Sequence, residues 1–350
     1  MSARGEQIGR FLKAEGWGSA SRRPLASDAS FRRYERLQFK NASVVLMDAP
    51  PPQEDVRPFW ALANYLGKNG CSAPRVLAGQ IDEGFLLLED LGDQTFNRTF
   101  AADPASETAL YEAAVDLLVD LQQRPPPATL RFGNAQRYEV AAYHEGRLFE
   151  ELFLFVDWYL PLLLKRRDAD WRPELEVVWR PSFEALAAAS EVLVLRDYHA
   201  DNLIWLADRK GIARVGVLDF QDALIGHPAY DLVSLLQDAR RDLSPGLEAA
   251  MKERYLAATS ARGKTLDRET FERHYQLLGA QRSSKIIGIF TRLWQRDGKP
   301  QYLELIPRVW GHLERNVAHP ALAAYREWLD HLIPGQMRRA VLPRGARHGR

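Results

Sequence analysis

Val192-Leu193-Val194-Leu195-Arg196-Asp197-Tyr198-His199-Ala200-Asp201-Asn202-Leu203-Ile204 is followed by Val215-Gly216-Val217-Leu218-Asp219-Phe220-Gln221-Asp222 and then by Gly226-His227-Pro228-Ala229-Tyr230-Asp231-Leu232. Two short apolar strands each end on a carboxylate, and an Asn stands five positions after the first. Between them, Leu203 to Leu206 reads as a strand, Asp208-Arg209-Lys210-Gly211 as a turn and Ile212 to Leu218 as the return strand. Such a hairpin brings both polar ends out on one side.

That grammar suits phosphoryl transfer, which needs a carboxylate to accept the proton of an acceptor hydroxyl and oxygen ligands to hold Mg²⁺ against nucleotide phosphates. Asp197 is the candidate base, and Asn202 and Asp219 are the candidate metal ligands. A lone Asp-x-x-x-x-Asn merely caps a turn. Three elements in this order carry more weight than any one of them.

These residues resemble the aminoglycoside phosphotransferase family, relatives of choline kinases and protein kinases that phosphorylate small molecules. Leu195 stands where that family usually has His, and Ala200-Asp201 where it usually has Pro-Gly. The base and metal positions are filled. The resemblance implies an α+β, protein-kinase-like two-lobe fold. Its small antiparallel-sheet N-lobe would span residues 1–91 and its larger, mainly helical C-lobe residues 92–335, with the catalytic segment at 192–235. Residues 336–350 would form a basic, disordered tail. ATP and Mg²⁺ are the implied cofactors, and Asp231 the implied brace of the catalytic loop, although an acidic residue at a helix start also simply favours the helix dipole.

The 350 residues suffice for two lobes. Lys and Arg total 47 against 46 Asp and Glu, so no bulk field favours nucleic acid or an anionic membrane. One cysteine, Cys71, excludes an intramolecular disulfide and fits a reducing compartment. The amino terminus lacks a signal-peptide core, and the apolar run Leu152 to Leu164 is too short to span a bilayer and carries Asp157 and Pro161. A cytoplasmic protein is expected.

In the N-lobe, residues Gly5 to Trp17 read as an amphipathic helix with Ile8, Phe11 and Leu12 on one face. The loop Ser27-Asp28-Ala29-Ser30-Phe31-Arg32-Arg33 precedes the strand Ser43 to Asp48. Ser27, Ala29, Ser30, Phe31, Arg32 and Arg33 are candidate nucleotide-binding residues, small ones letting a turn approach phosphate and arginines supplying charge. The third strand of kinases carries a phosphate-gripping Lys, but here it ends in Met47-Asp48, so Arg32 or Arg33 is expected to replace that cation. Gln53 to Asn69 reads as a helix, with Glu54 either solvated in its first turn or paired with the cation. The strand Gly84 to Leu88 leads into Glu89-Asp90-Leu91, the expected interlobe hinge, whose backbone would bind adenine.

In the C-lobe, helices are expected over 106–123, within 138–166, over 180–190 and over 231–240. From Gln281 to Pro300, Arg282, Lys285, Arg292 and Arg296 share one arc of a helix beside Ile286, Ile289, Phe290 and Leu293. The arc either recognises an acidic acceptor or keeps its charged heads in water. His199, Arg282 and Lys285 are the candidate acceptor-binding residues. Most of the chain from residue 20 to 330 also resembles the bacterial anomeric kinases of cell-wall recycling, through Ser27 to Tyr34, Val45 to Pro51, Leu91-Gly92-Asp93, Leu152 to Tyr159, the catalytic segment and Gln281 to Pro300. That resemblance implies an amino-sugar substrate, N-acetylmuramate or N-acetylglucosamine. A kinase of an aminoglycoside or amino alcohol, and a nucleotide-binding pseudokinase, are the alternatives.

Overall fold

The computed structural model describes residues 3–25, 31–166, 168–187 and 191–338. Its first elements are α1 (Ala3–Ala14), β1 (Ser21–Pro24), β2 (Arg33–Phe39), β3 (Ala42–Asp48), α2 (Arg57–Lys68), β4 (Val76–Gln80) and β5 (Phe85–Glu89). Next come α3 (Phe96–Ala102), α4 (Glu107–Leu121), β6 (Thr129–Phe132), β7 (Gln136–Glu139), α5 (Glu145–Leu154), a π-helical turn (Phe155–Tyr159), α6 (Leu160–Leu164) and α7 (Arg172–Leu186). The remainder holds β8 (Val192–Val194), β9 (Leu203–Trp205), β10 (Val215–Val217), β11 (Leu224–Gly226), α8 (Ala229–Leu236), α9 (Leu247–Ala261), α10 (Arg268–Asp297), α11 (Ile306–Val317), α12 (Ala323–Leu332) and α13 (Gly335–Arg338). The α+β class is as expected, with the antiparallel sheet early and helices after it.

Two compact units emerge: Met1–Leu121 with Pro127–Ala141 and Leu195–Ala223, and Gln122–Pro126 with Ala142–Val194 and Leu224–Arg350. This grouping differs from a division at residue 91, because α3, α4 and the Asp197–Asp219 segment fall in the same unit as the sheet.

In the first unit the sheet order is β1-β2-β3-β5-β4, antiparallel throughout. Side chains alternate faces along a strand. Val44 and Leu46 of β3, with Phe85 and Leu87 of β5, therefore share one face, and the α1 stripe of Ile8, Phe11 and Leu12 buries it. Asp48 falls on that same alternation and meets α1: Arg4 Nε and an Arg4 terminal nitrogen donate to Asp48 Oδ1 at 2.9 and 2.5 Å, with the guanidinium 4.0 Å over the Phe85 ring. The β3 end thus anchors the first helix. Gly84 turns β4 into β5 at φ 70°, where a Cβ would stand 1.9 Å from the Ala49 carbonyl oxygen.

In the second unit the 30-residue α10 is the central packing element. Gly288 lets it approach the α5 end so closely that a Cβ would lie 2.3 Å from the Leu154 carbonyl carbon. The π-helical turn begins at the next residue, and its Tyr159 hydroxyl accepts from Trp310 Nε1 at 2.8 Å. Helix α7 begins at Arg172 rather than near 180, entered through Pro173 and continuing past Pro181. Among the described residues no helix is long and apolar enough to cross a membrane.

Candidate active site

The catalytic loop is wound on its own hydrogen bonds. Asn202 Nδ2 donates to the Asp197 carbonyl at 3.0 Å and lies 3.3 Å from His199 Nε2. The Asn202 carbonyl accepts from Leu218 N–H at 2.9 Å, which ties the loop to the residue before Asp219. Tyr198 is buried and donates through its hydroxyl to the Ala114 carbonyl at 2.9 Å, and Asn97 of α3 holds Asp201. His199, expected to meet the acceptor, is instead buried against Asn202. Its ring orients the amide, whose donor end is used inside the loop and whose oxygen is the end left for a cation.

Two residues here have left-handed backbone, Arg196 at φ 71° and Asp219 at φ 56°. That conformation is unfavourable for residues with a side chain, and at functional sites it re-aims a group that surrounding contacts hold in place. For Asp219 those contacts are Phe220, buried 4.8 Å from the Phe59 ring of α2, and Gln221, whose Nε2 donates to Asp219 Oδ1 at 2.7 Å.

Of the two arginines expected to replace the missing Lys, Arg32 is the one beside Asp219. Its guanidinium is 3.7 Å from Glu54 and 3.7 Å from Asp219, while Arg33 is exposed on β2. Glu54 also accepts from Phe31 N–H at 3.1 Å. It precedes α2 rather than lying in its first turn, because Asp55 accepts from Arg57 N–H and Pro58 sets the helix start at Arg57. Phe31 itself is largely exposed. Ser27, Ala29 and Ser30 lie outside the described residues.

Charge in this cluster is unbalanced. Burial works against the Arg32 cation, but Tyr34, Asp219, Glu54 and Asp222 together raise it above its ordinary range. Asp219 moves up as well, although much of its side chain is open: crowding by protein atoms and the charge of Asp197 both penalise its carboxylate. A divalent cation would relieve that repulsion. Among the described residues no three His, Cys, Asp or Glu converge as a complete metal cage. One carboxylate and one amide oxygen suit Mg²⁺, which takes few protein ligands and completes its shell with phosphate and water. Asn202 and Asp219 therefore fit the role expected of them.

At the expected hinge, Glu89 N–H is already donated to the Arg75 carbonyl at 2.8 Å, and the Glu89 carboxylate meets Arg75 and Arg209. The Glu89 N–H is therefore taken up within the sheet edge.

In the helical unit, the alternative of basic heads in water fails for two residues. Arg282 and Lys285 are buried. Lys285 Nζ donates to Glu151 Oε1 at 2.8 Å and lies 3.3 Å from the Tyr230 hydroxyl, which also meets an Arg282 terminal nitrogen at 3.3 Å. Glu151 further accepts from Gln281 Nε2 at 3.1 Å and from the Tyr143 hydroxyl. Asp231 is fully buried in the first turn of α8. Glu151 could have been suspected from its place on the buried stripe of Leu148, Leu152 and Phe155, where a lone carboxylate needs a partner.

Residues 21–266 match the model of the phosphotransferase enzyme family. The chain belongs to that family. This phosphotransferase is 41% identical to the N-acetylmuramate/N-acetylglucosamine kinase of Caulobacter vibrioides, over 94% of this chain and 96% of the relative. It is 40% identical to the kinase of the same name from Pseudomonas aeruginosa, over 92% of each. Among solved structures it is similar to the GDP complex of aminoglycoside 2'-phosphotransferase-IIIa, with a TM-score of 0.60 at 16% identity, covering 91% of this chain and 99% of that one. A choline kinase from Streptococcus pneumoniae gives 0.57 at 11% identity, covering 93% and 100%. The fold expected of the phosphotransferase is thus borne out.

Proposed function

We propose that the protein is an ATP-dependent kinase that transfers the γ-phosphoryl group to the anomeric hydroxyl of N-acetylmuramate or N-acetylglucosamine, giving a sugar 1-phosphate for peptidoglycan recycling. The observation that carries the chemistry is the convergence of Asp197, Asn202, Asp219 and Arg32 within one compact unit. Support for the acceptor comes from relatives named N-acetylmuramate/N-acetylglucosamine kinase at 40% and 41% identity along nearly the whole chain.

In this reading Asp197 accepts the proton as the anomeric oxygen bonds to phosphorus and the bond to the ADP oxygen breaks. Arg32, held by Glu54, grips the phosphates in place of the missing Lys. Asn202 and Asp219 hold Mg²⁺, whose contribution when bound is to neutralise phosphate charge. Arg282 is the residue offered to the acceptor, while Lys285 is held by Glu151.

The test is nucleotide consumption with and without Mg²⁺ against N-acetylmuramate, N-acetylglucosamine, choline, an aminoglycoside and no acceptor, with phosphate position read by NMR. Mg²⁺-dependent formation of an anomeric phosphate is expected. Turnover confined to another acceptor would keep the site and discard the sugar. Nucleotide binding with no turnover would make the protein a pseudokinase.

A further inference from the structure

The Leu91-Gly92-Asp93 stretch begins within the expected base-binding hinge, and a buried cation is wrapped inside it. Arg36 of β2 is only 7% exposed. One terminal nitrogen donates to Asp90 Oδ1 at 2.8 Å, the other to Asp93 Oδ2 at 2.5 Å, and Nε lies 2.7 Å from Asp90 Oδ2. Asp90 also accepts from Ser43 Oγ at 2.5 Å and from Gly92 N–H at 3.0 Å, with Gly92 at φ 82°. The Asp93 carbonyl accepts from Thr95 N–H and from Arg98 at the start of α3. Residues 90–93 thus close around one guanidinium as a finished turn.

Stability alone gives little reason for this device. Apolar side chains of similar volume often stabilise a fold as well as a buried ion pair does, so what the charge adds at this turn is the geometry it dictates. A planar guanidinium with two fixed forks dictates a great deal: it sets the position of Asp90 and Asp93 relative to β2 and so aims the backbone between them.

We infer that Arg36 is a positioning residue for the nucleotide base, holding residues 90–93 in a preformed turn so that the Asp90–Leu91 backbone meets the purine edge without reordering. The inference rests on the reading of that backbone as the base-binding edge. It predicts an effect on base affinity and not on phosphoryl transfer, since ordering a loop at binding weakens the complex while leaving the reacting groups in place.

The experiment uses the full chain with Arg36→Met, Arg36→Lys and Asp93→Asn. Dissociation constants are measured for ATP and for tripolyphosphate, which lacks the base, alongside KM for ATP and kcat. The wild type should prefer ATP. In Arg36→Met, ATP affinity should fall about tenfold, the scale of losing charge-assisted hydrogen bonds, with KM rising in parallel. Tripolyphosphate affinity should be unchanged and kcat should stay within about twofold. Arg36→Lys should recover part of the loss, because an ammonium can reach one carboxylate. An unchanged preference for ATP in Arg36→Met would overturn the inference while leaving the base-binding edge intact. A wild type that does not distinguish ATP from tripolyphosphate would overturn the edge and the inference together. Should Arg36→Met fail to fold, Asp93→Asn decides: its carboxylate is partly exposed, and it must show the same selective loss of ATP affinity or the inference falls.

Discussion

Around Arg32 the ion pairs are long, 3.7 Å to Glu54 and 3.7 Å to Asp219, and further carboxylates at Asp197 and Asp222 crowd the same place. Around Lys285 they are short and complete, 2.8 Å to a Glu151 that also receives Gln281 and the Tyr143 hydroxyl. A 3.7 Å separation is not a hydrogen bond, so Arg32 meets these two carboxylates as a charge and not as a bonded fork. The first cluster gathers like charges at a distance, and the second pairs its lysine with a carboxylate at hydrogen-bond range. Two nearby carboxylates penalise each other's charge, and in the proposed reading Mg²⁺ would relieve that penalty.

If this contrast is right, the two clusters respond to charge removal in opposite ways. The largest effect is on rate. Asp197→Asn should lower kcat by about 10²–10⁴-fold, the usual contribution of a general base, with ATP affinity retained. Steady-state kinetics beside nucleotide titration checks this, and near-normal turnover would reassign the base. In the closed cluster the effect is on stability. Lys285→Met strands the Glu151 carboxylate and should cost about 3–5 kcal/mol in urea denaturation, whereas adding Glu151→Leu should restore most of it. A single-variant loss near that of a surface pair, under about 1 kcal/mol, would mean the cluster is hydrated and the contrast false.

Asp219→Asn should have the reverse sign. It removes one of two mutually repelling carboxylates, so the nucleotide-free protein should gain stability. The gain should be under about 1 kcal/mol, because a partly open group is screened. The same change should weaken Mg²⁺–ATP binding, measured by calorimetry at fixed Mg²⁺. A variant that is less stable and binds Mg²⁺–ATP normally would move Asp219 out of the metal site.

What could be read in the sequence follows from how far apart the interacting residues lie. Asp197, Asn202 and Asp219 stand within 23 positions on two short strands, so spacing alone grouped them. The fate of Asp48 was also legible in principle, since alternation with Val44 and Leu46 puts it on the α1 face. Which of Arg32 and Arg33 lies beside Asp219 was not, because it depends on which residue β2 leaves exposed. Nor were the buried heads of α10: the Glu151 that neutralises Lys285 is 134 residues away, and periodicity reports a face without reporting what covers it. The contact of His199 with Asn202 was not legible for the opposite reason. His199 stands in the catalytic loop by sequence, but a loop this tightly bonded spends side chains on its own shape.

The smallest effect separates packing from recognition in α10. The Arg282 guanidinium lies 5.5 Å over the Tyr230 ring, with a terminal nitrogen 3.3 Å from the hydroxyl, whereas Lys285 is held by a full carboxylate. Of the two, Arg282 is the one whose removal leaves the Lys285–Glu151 pair intact, so it separates recognition from packing more cleanly. N-acetylmuramate carries a lactyl carboxylate and N-acetylglucosamine does not. Arg282→Met keeps most of the buried volume while removing the charge. It should raise KM for N-acetylmuramate about tenfold while changing KM for N-acetylglucosamine by about twofold or less, the difference expected for one charge-assisted contact. Equal losses on both sugars would assign Arg282 to the packing of α10 against Tyr230 and place the acceptor's carboxylate elsewhere.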